Sequence, residues 1–240
     1  IYANDSFPYN FIYENLQIQN NLINTSLNSN VNKFIFLGSS CIYPKYSKQP
    51  IKEEYLLTDK LEETNEWYAI AKIAGVKLCQ SIRKQFKKDF ISLMPTNLYG
   101  PNDNFDLKSS HVLPAMIRKF DEAKNKNLKN VMLWGSGKPF REFLYVDDLA
   151  EASVLIMKNQ KKIEKNIINV GSGFEITIDE LAKKIIDIVG INVNIKYDKT
   201  KPNGVQSKLI DSSFINEMGW LPKVSLDEGI ELTYREFLSK

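Results

Sequence analysis

Apolar residues recur along this chain in two alternating rhythms. In FPYNFIYENLQIQNNLI, residues Phe11, Leu16, Ile18 and Leu22 are spaced for an amphipathic helix over about 8–25. Lys33 opens a short apolar run, FIFLG, that stops at Gly38 and reads as a strand buried on both faces. After a polar loop, TNEWYAIAKIAGVKLCQSIRKQF opens on Thr64, a residue type that caps helices, and continues as a long helical pattern. FISLMPTNLYG predicts a second buried strand running into a loop. Downstream come a helix over about 111–125, strands at VMLWG and EFLYV, and a helix starting at Asp147 and Asp148. Carboxylates there favour a helix start, because they face the positive end of its dipole. IINVG (strand), Thr177–Val189 (helix), VNIKY (strand) and two terminal helices complete the series. Strands alternating with helices predict an α/β fold with a largely parallel sheet.

A dinucleotide-binding sheet usually opens with strand, glycine-rich turn and helix, whose backbone N–H groups hold a pyrophosphate. None of the 11 glycines forms such a triplet; Gly135-Ser-Gly137 and Gly171-Ser-Gly173 lack the third partner and read as turns. The chain also begins at Ile1, on a helical pattern and without Met. The expectation is that about the first two β-α units are absent.

Composition narrows the classes. With 43% hydrophobic and 25% charged residues among 240, the chain matches an ordinary globular protein. Its Lys+Arg total of 32 against Asp+Glu 29 leaves +3, spread along the chain, which argues against a nucleic-acid partner. No apolar run reaches the roughly 18 residues of a membrane span. Cys41 and Cys79 make no disulfide framework, so a reducing cytoplasm is expected. Basic residues are nearly all Lys. Arg83, Arg118, Arg141, Arg235 and the sole histidine, His111, therefore stand out.

Tyr68 and Lys72 lie four apart in the long helical pattern, so they share a face. An ammonium near a phenol lowers its pKa from about 10 and suits it to proton transfer. Tyr197 and Lys201 repeat the spacing where a strand ends before a proline, and that pair reads as accidental. Ser39 and Ser40 close the first predicted strand, and the carboxyl ends of parallel strands are where such sheets bind ligands. Plain turn chemistry is the alternative for both serines. Cys41 could equally be a small buried hydrophobe, and His111 a structural histidine.

Ser39 with Tyr68-x-x-x-Lys72 resembles the extended short-chain dehydrogenase/reductases. More narrowly, GSSCIYP, NEWYAIAKIAG, MPTNLYGPNDNF, SSHVLPAMIRKF, WGSGKPFREFLYVDDLA and NVGSG, in that order, resemble the GDP-L-fucose synthases. The fold this implies is a Rossmann-like doubly wound parallel sheet lacking its first β-α units, with a smaller α/β substrate-binding region. Residues 1–100, with 141–170 returning, would form the incomplete dinucleotide-binding part, and 101–140 with 171–240 the substrate-binding part. The implied reaction epimerises C3 and C5 of a 4-keto sugar on GDP and reduces the ketone with NADPH. Cys41 and His111 would be its base and acid. Tyr68 would donate the proton in reduction, Lys72 would tune it and hold the nicotinamide ribose, and Ser39 would orient the carbonyl.

Leu37, Gly38, Ser39, Ser40, Pro95, Thr96, Asn97, Leu98, Lys72 and His111 match the family's cofactor contacts. Lys119, Trp134 and Arg141 match its nucleotide-sugar contacts, and Lys208 does so more loosely. Arg141 suits a bidentate phosphate clamp. Asn203 stands where the family often has Asp and is left unassigned. A GDP-sugar substrate, a homodimer built on the helices near 8–25 and 64–88, and NADPH binding weakened by the absent glycine-rich turn complete what the resemblance implies. Another NDP-sugar epimerase or dehydratase, or a non-catalytic nucleotide-sugar-binding module, remains the alternative.

Overall fold

The structure, a computed structural model, describes residues 4, 6–159, 163–201 and 203–239. The expected alternation is present. Helix α1 (Pro8–Asn28) leads to strand β1 (Lys33–Leu37), then α2 (Glu66–Phe86), β2 (Asp89–Pro95) and the short β3 (Asn97–Tyr99). There follow α3 (Val112–Asn125), β4 (Asn130–Trp134), β5 (Phe140–Tyr145), α4 (Val146–Asn159) and β6 (Ile167–Val170). The chain ends with β7 (Glu175–Thr177), α5 (Ile178–Val189), β8 (Asn194–Asp198), α6 (Ser213–Glu217) and α7 (Leu226–Leu238).

β1, β2 and β6 form a parallel sheet in that order, with Leu37 level with Leu93 and Leu93 level with Ile168. Side chains on a strand alternate faces, and β2 uses both. Phe90 and Met94 enter a core with Ile23 of α1 and Val76, Cys79 and Ile82 of α2. Ile91 and Leu93 enter a second core with Leu149, Ala152 and Ile156 of α4 and Trp220. A sheet covered on both faces is the doubly wound arrangement, and it explains why β2 and β6 read as continuous apolar runs. The fold is thus Rossmann-like α/β.

A third core gathers Leu113, Ile117 and Phe120 of α3, Leu181 and Ile185 of α5, and Ile230 and Tyr234 of α7. It covers the β3–β5–β7 and β4–β8 sheets. Pairings there are parallel except β5 with β7, where Phe140 opposes Thr177. At three residues, β7 is too short to show a period in the sequence. Thr177 begins α5 with a capping box, its hydroxyl accepting from Glu180 N–H at 3.1 Å.

Thr64 behaves otherwise. Residues Glu63–Asn65 form a single 3-10 turn, so α2 begins at Glu66 behind Asn65, and Thr64 turns its hydroxyl to Glu62 at 3.4 Å instead of capping. The Gly135 and Gly137 pair, with φ of 80° and 75°, sits in a turn, as expected.

Candidate active site

The carboxyl ends of β1 and β2 open onto one cleft of about 440 Å³. β1 leaves the sheet at Gly38, whose N–H still donates to Leu93 O at 2.9 Å. A Cβ there would meet Met94 Sδ at 2.5 Å, so a larger residue would have to push the methionine side chain aside. The turn delivers Ser39, Ser40 and Cys41 to the cleft wall, where Ser39 Oγ accepts from Cys41 N–H at 3.2 Å. The next strand end adds Pro95, Thr96, Asn97 and Leu98. α2 presents Tyr68, and His111, at the N-terminal boundary of α3, lines the cleft too. Arg141 and Lys208 complete the predicted residues found there.

Within the cleft, the Ser39 hydroxyl favours the ionised forms of both Tyr68 and Cys41. Tyr68 also takes Phe11 of α1 edge-on, ring centroids 6.4 Å apart. Its phenol differs from expectation: burial, and then the charge of Cys41, push it up to about 12 despite the Ser39 hydrogen bond. Lys72 does not offset this. Its Nζ is 5.7 Å from the Tyr68 ring centroid and donates to Leu37 O at 3.1 Å. Burial holds Lys72 itself below the ordinary lysine range. A phenol held up keeps its proton at neutral pH, the form in which it can act as an acid.

The thiol goes the other way. Burial alone would raise Cys41, but the Lys208 ammonium, helped by hydrogen bonds from Ser39 and Lys208, brings it below its ordinary 9.0. Lys208 Nζ lies 3.1 Å from Cys41 Sγ. Cys79, by contrast, is fully buried on the sheet-facing side of α2, and burial pushes it up to about 12.

Arg141 Nη1 donates to Phe140 O at 2.6 Å and Val205 O at 2.7 Å, and Nη2 donates to Asn203 O at 3.1 Å. The guanidinium thereby ties β5 to the 203–205 segment beside the cleft. Asn203 Oδ1 accepts from Ser136 N–H at 2.8 Å, which gives that residue a turn-holding role.

Leu37 and Lys72 stand just behind the cleft, joined by their hydrogen bond. Lys119 and Trp134 form a separate patch: Lys119 Nζ is 5.8 Å from the Trp134 ring centroid and donates to Met132 O at 3.0 Å. Lys201 joins them, its Nζ 5.5 Å from the same ring. Sequence reasoning passed over Lys201 as half of an accidental motif. It also passed over Glu62 and Asn65, which line the cleft. Their signal was faint, a polar pair just before the tyrosine helix.

A family model described as "NAD dependent epimerase/dehydratase family" matches residues 1–171. A GDP-L-fucose synthase of Sinorhizobium fredii is 55% identical over 239 residues, covering 100% of this chain and 76% of that protein. Among solved structures, a GDP-6-OMe-4-keto-L-xylo-heptose reductase from C. jejuni is 36% identical with a TM-score of 0.92, covering 99% of this chain and 79% of its own. A GDP-L-fucose synthetase from Naegleria fowleri, bound to NADP, is 28% identical with a TM-score of 0.88, covering 97% and 74% respectively.

Proposed function

Because the chain belongs to the NAD dependent epimerase/dehydratase family, and within it to the branch that holds the GDP-L-fucose synthases, we propose that it converts GDP-4-keto-6-deoxy-D-mannose to GDP-L-fucose, epimerising C3 and C5 and then reducing C4 with NADPH. One observation carries the reading: a thiol, the chain's sole imidazole and a serine–phenol pair line a single cleft.

A ketone at C4 acidifies the hydrogens on C3 and C5, because the electron pair left behind spreads onto the oxygen as an enolate. Cys41, as thiolate, takes the proton and becomes a neutral thiol. His111 gives a proton to the opposite face of the carbon, inverting it. Thiol and imidazole then exchange protons through solvent, so no net proton is consumed. The Ser39 and Tyr68 hydroxyls, which line the same cleft, hold the C4 oxygen and stabilise its developing charge. When bound, NADPH supplies the hydride for C4. The Tyr68 phenol passes its proton to the C4 oxygen as the alcohol forms.

The residues suit that cofactor. Lys72, anchored on Leu37 O, is an ammonium at a strand's carboxyl end, suited to ribose hydroxyls. The exposed Leu37 side chain and the backbone of Gly38–Ser40 and Pro95–Leu98 offer an apolar surface with polar edges for the ring. Without a glycine-rich pyrophosphate turn, these 240 residues by themselves bind NADPH weakly. Lys119, Lys201 and Trp134 offer two ammoniums and one indole face to a GDP-sugar, with Arg141 as a further phosphate partner. The exposed apolar residues of α1 and α2 support a homodimer. Free Cys41 and Cys79 with an NADPH requirement favour the cytoplasm; among the described residues no helix is long and apolar enough to cross a membrane.

The test separates the two half-reactions. With the keto sugar in D₂O and no NADPH, the chain should place deuterium at C3 and C5, and Cys41→Ser should abolish this. With NADPH added, ketone reduction should saturate only at high cofactor concentration. Absence of both deuterium uptake and NADPH oxidation would overturn the reading, and tight NADPH binding would overturn its cofactor clause.

A further inference from the structure

Lys208 is the cation that meets the sulfur, and the fold goes to some length to put it there. The main chain on either side belongs to no helix or long strand, yet it is tied at several points. Leu209 N–H donates to Gln49 Oε1 at 2.8 Å, Ile51 N–H to Leu209 O at 2.8 Å, and Asp211 N–H to Ile51 O at 2.8 Å. Ile210 N–H donates to Glu142 Oε2 at 3.1 Å, while Oε1 of this fully buried carboxylate accepts from Gly173 N–H at 2.8 Å. From the other side, Arg141 grips Asn203 O and Val205 O. The lysine stem thus starts from fixed backbone, so that holding its head in one place orders only the side-chain rotamers.

Among the described residues no carboxylate pairs with Lys208; the ion pairs form elsewhere. Its polar contact is Cys41 Sγ at 3.1 Å. Other charged or titratable groups line the same cleft. Arg141 adds positive charge from β5 but spends its hydrogen bonds on backbone. Tyr68 of α2 holds its proton. Glu62, in the same cleft, is paired with Lys45 at 3.1 Å. His111 lines the cleft from α3.

We propose that Lys208 is a positioning residue for Cys41: its ammonium, presented by the segment that Glu142 and Ile51 anchor, keeps the sulfur ionised and fixed in the cleft, so that Cys41 enters the reaction already a base. The proton Cys41 collects comes from the sugar carbon. The consequence for catalysis rests on the epimerisation reading; the ion pair itself does not. The physics is general: a thiolate beside a lysine is favoured over the thiol, and the thiolate is the reactive form.

Alkylation of Cys41 by iodoacetamide, followed by mass spectrometry across pH, reads the thiolate directly and needs neither keto sugar nor NADPH. Cys79 is the internal control, since its labelling reports unfolding. Wild type should titrate with a midpoint below 9.0. Lys208→Met should shift the midpoint to higher pH, with slower labelling below it. Lys208→Arg should restore it at least in part. Should Lys208→Met expose Cys79, Lys208→Gln is read in the same way. A neutral variant that keeps the wild-type midpoint with Cys79 unlabelled overturns the proposal, as does an arginine variant no better than methionine. If the midpoints shift as expected while Cys41→Ser still takes up deuterium at C3 and C5, the ion pair stands and the epimerisation reading falls.

Discussion

At the residue scale, two protons in one cleft are held with opposite firmness. The Tyr68 phenol, pushed up to about 12 by burial and the charge of Cys41, stays protonated at neutral pH, whereas Cys41 is drawn below 9.0 by Lys208 against the effect of burial. Groups driven apart in this way divide the labour of acid and base. Tyr68→Phe should therefore slow ketone reduction by about 10²–10⁴-fold, measured as NADPH oxidation, while deuterium uptake at C3 and C5, which keeps the Ser39 hydroxyl, is slowed less. The pH dependence has a definite sign. As pH falls through the lowered Cys41 value the sulfur takes a proton, so deuterium uptake should fall on the acid side with a midpoint below 9.0. The Ser39–Tyr68–Lys72 grouping was legible from spacing alone. The direction of the Tyr68 shift was not, because desolvation depends on what covers a side chain, and Lys72 turns to Leu37 O.

At the scale of elements, α2 carries Tyr68 and Lys72 and must approach the sheet closely. Gly75 permits it: a Cβ there would meet Phe36 Cζ of β1 at 2.4 Å and Gln19 Cδ of α1 at 3.0 Å. By intrinsic propensity, Gly→Ala in a helix interior stabilises by about 1 kcal/mol. The crowding reverses the sign, and Gly75→Ala should destabilise the fold by about 1–3 kcal/mol in urea titration. It should also depress reduction by displacing α2. A melting midpoint raised by this substitution would show that β1 and α1 can move aside. The helical pattern over this segment was plain in the sequence, but its start was not. A 3-10 turn at Glu63–Asn65 draws Thr64 toward Glu62, and local hydrogen bonding of that kind competes with capping.

For the whole molecule, apolar side chains remain in solvent on the two helices nearest the chain's start. Tyr9, Tyr13, Ile18 and Leu22 on α1 are exposed, with Tyr9 and Tyr13 stacked 5.3 Å apart, and Trp67 and Ile70 on α2 are exposed as well. Exposed apolar side chains on helices packed side by side offer a surface for a partner. The homodimer proposed above predicts twice the chain mass in light scattering at micromolar concentration. Ile18→Glu with Leu22→Glu should give monomers of unchanged helix content. A monomeric wild type would overturn that proposal.

Periodicity is a local property, so the order of helices and strands, the covered sheet and the chemistry available at Ser39, Cys41, Tyr68, Lys72 and His111 could all be read along the chain. What the sequence could not rank was proximity between distant residues. Lys208 and Cys41 stand 167 positions apart, and Lys201 meets Trp134 where β8 pairs with β4. Nothing in local spacing encodes such contacts. The first exists because buried Glu142 and the Ile51–Ile210 bridge bring the late segment back over the ends of the parallel strands. Charge and burial act through space, so the ionisation of the cleft was decided only once the chain had folded.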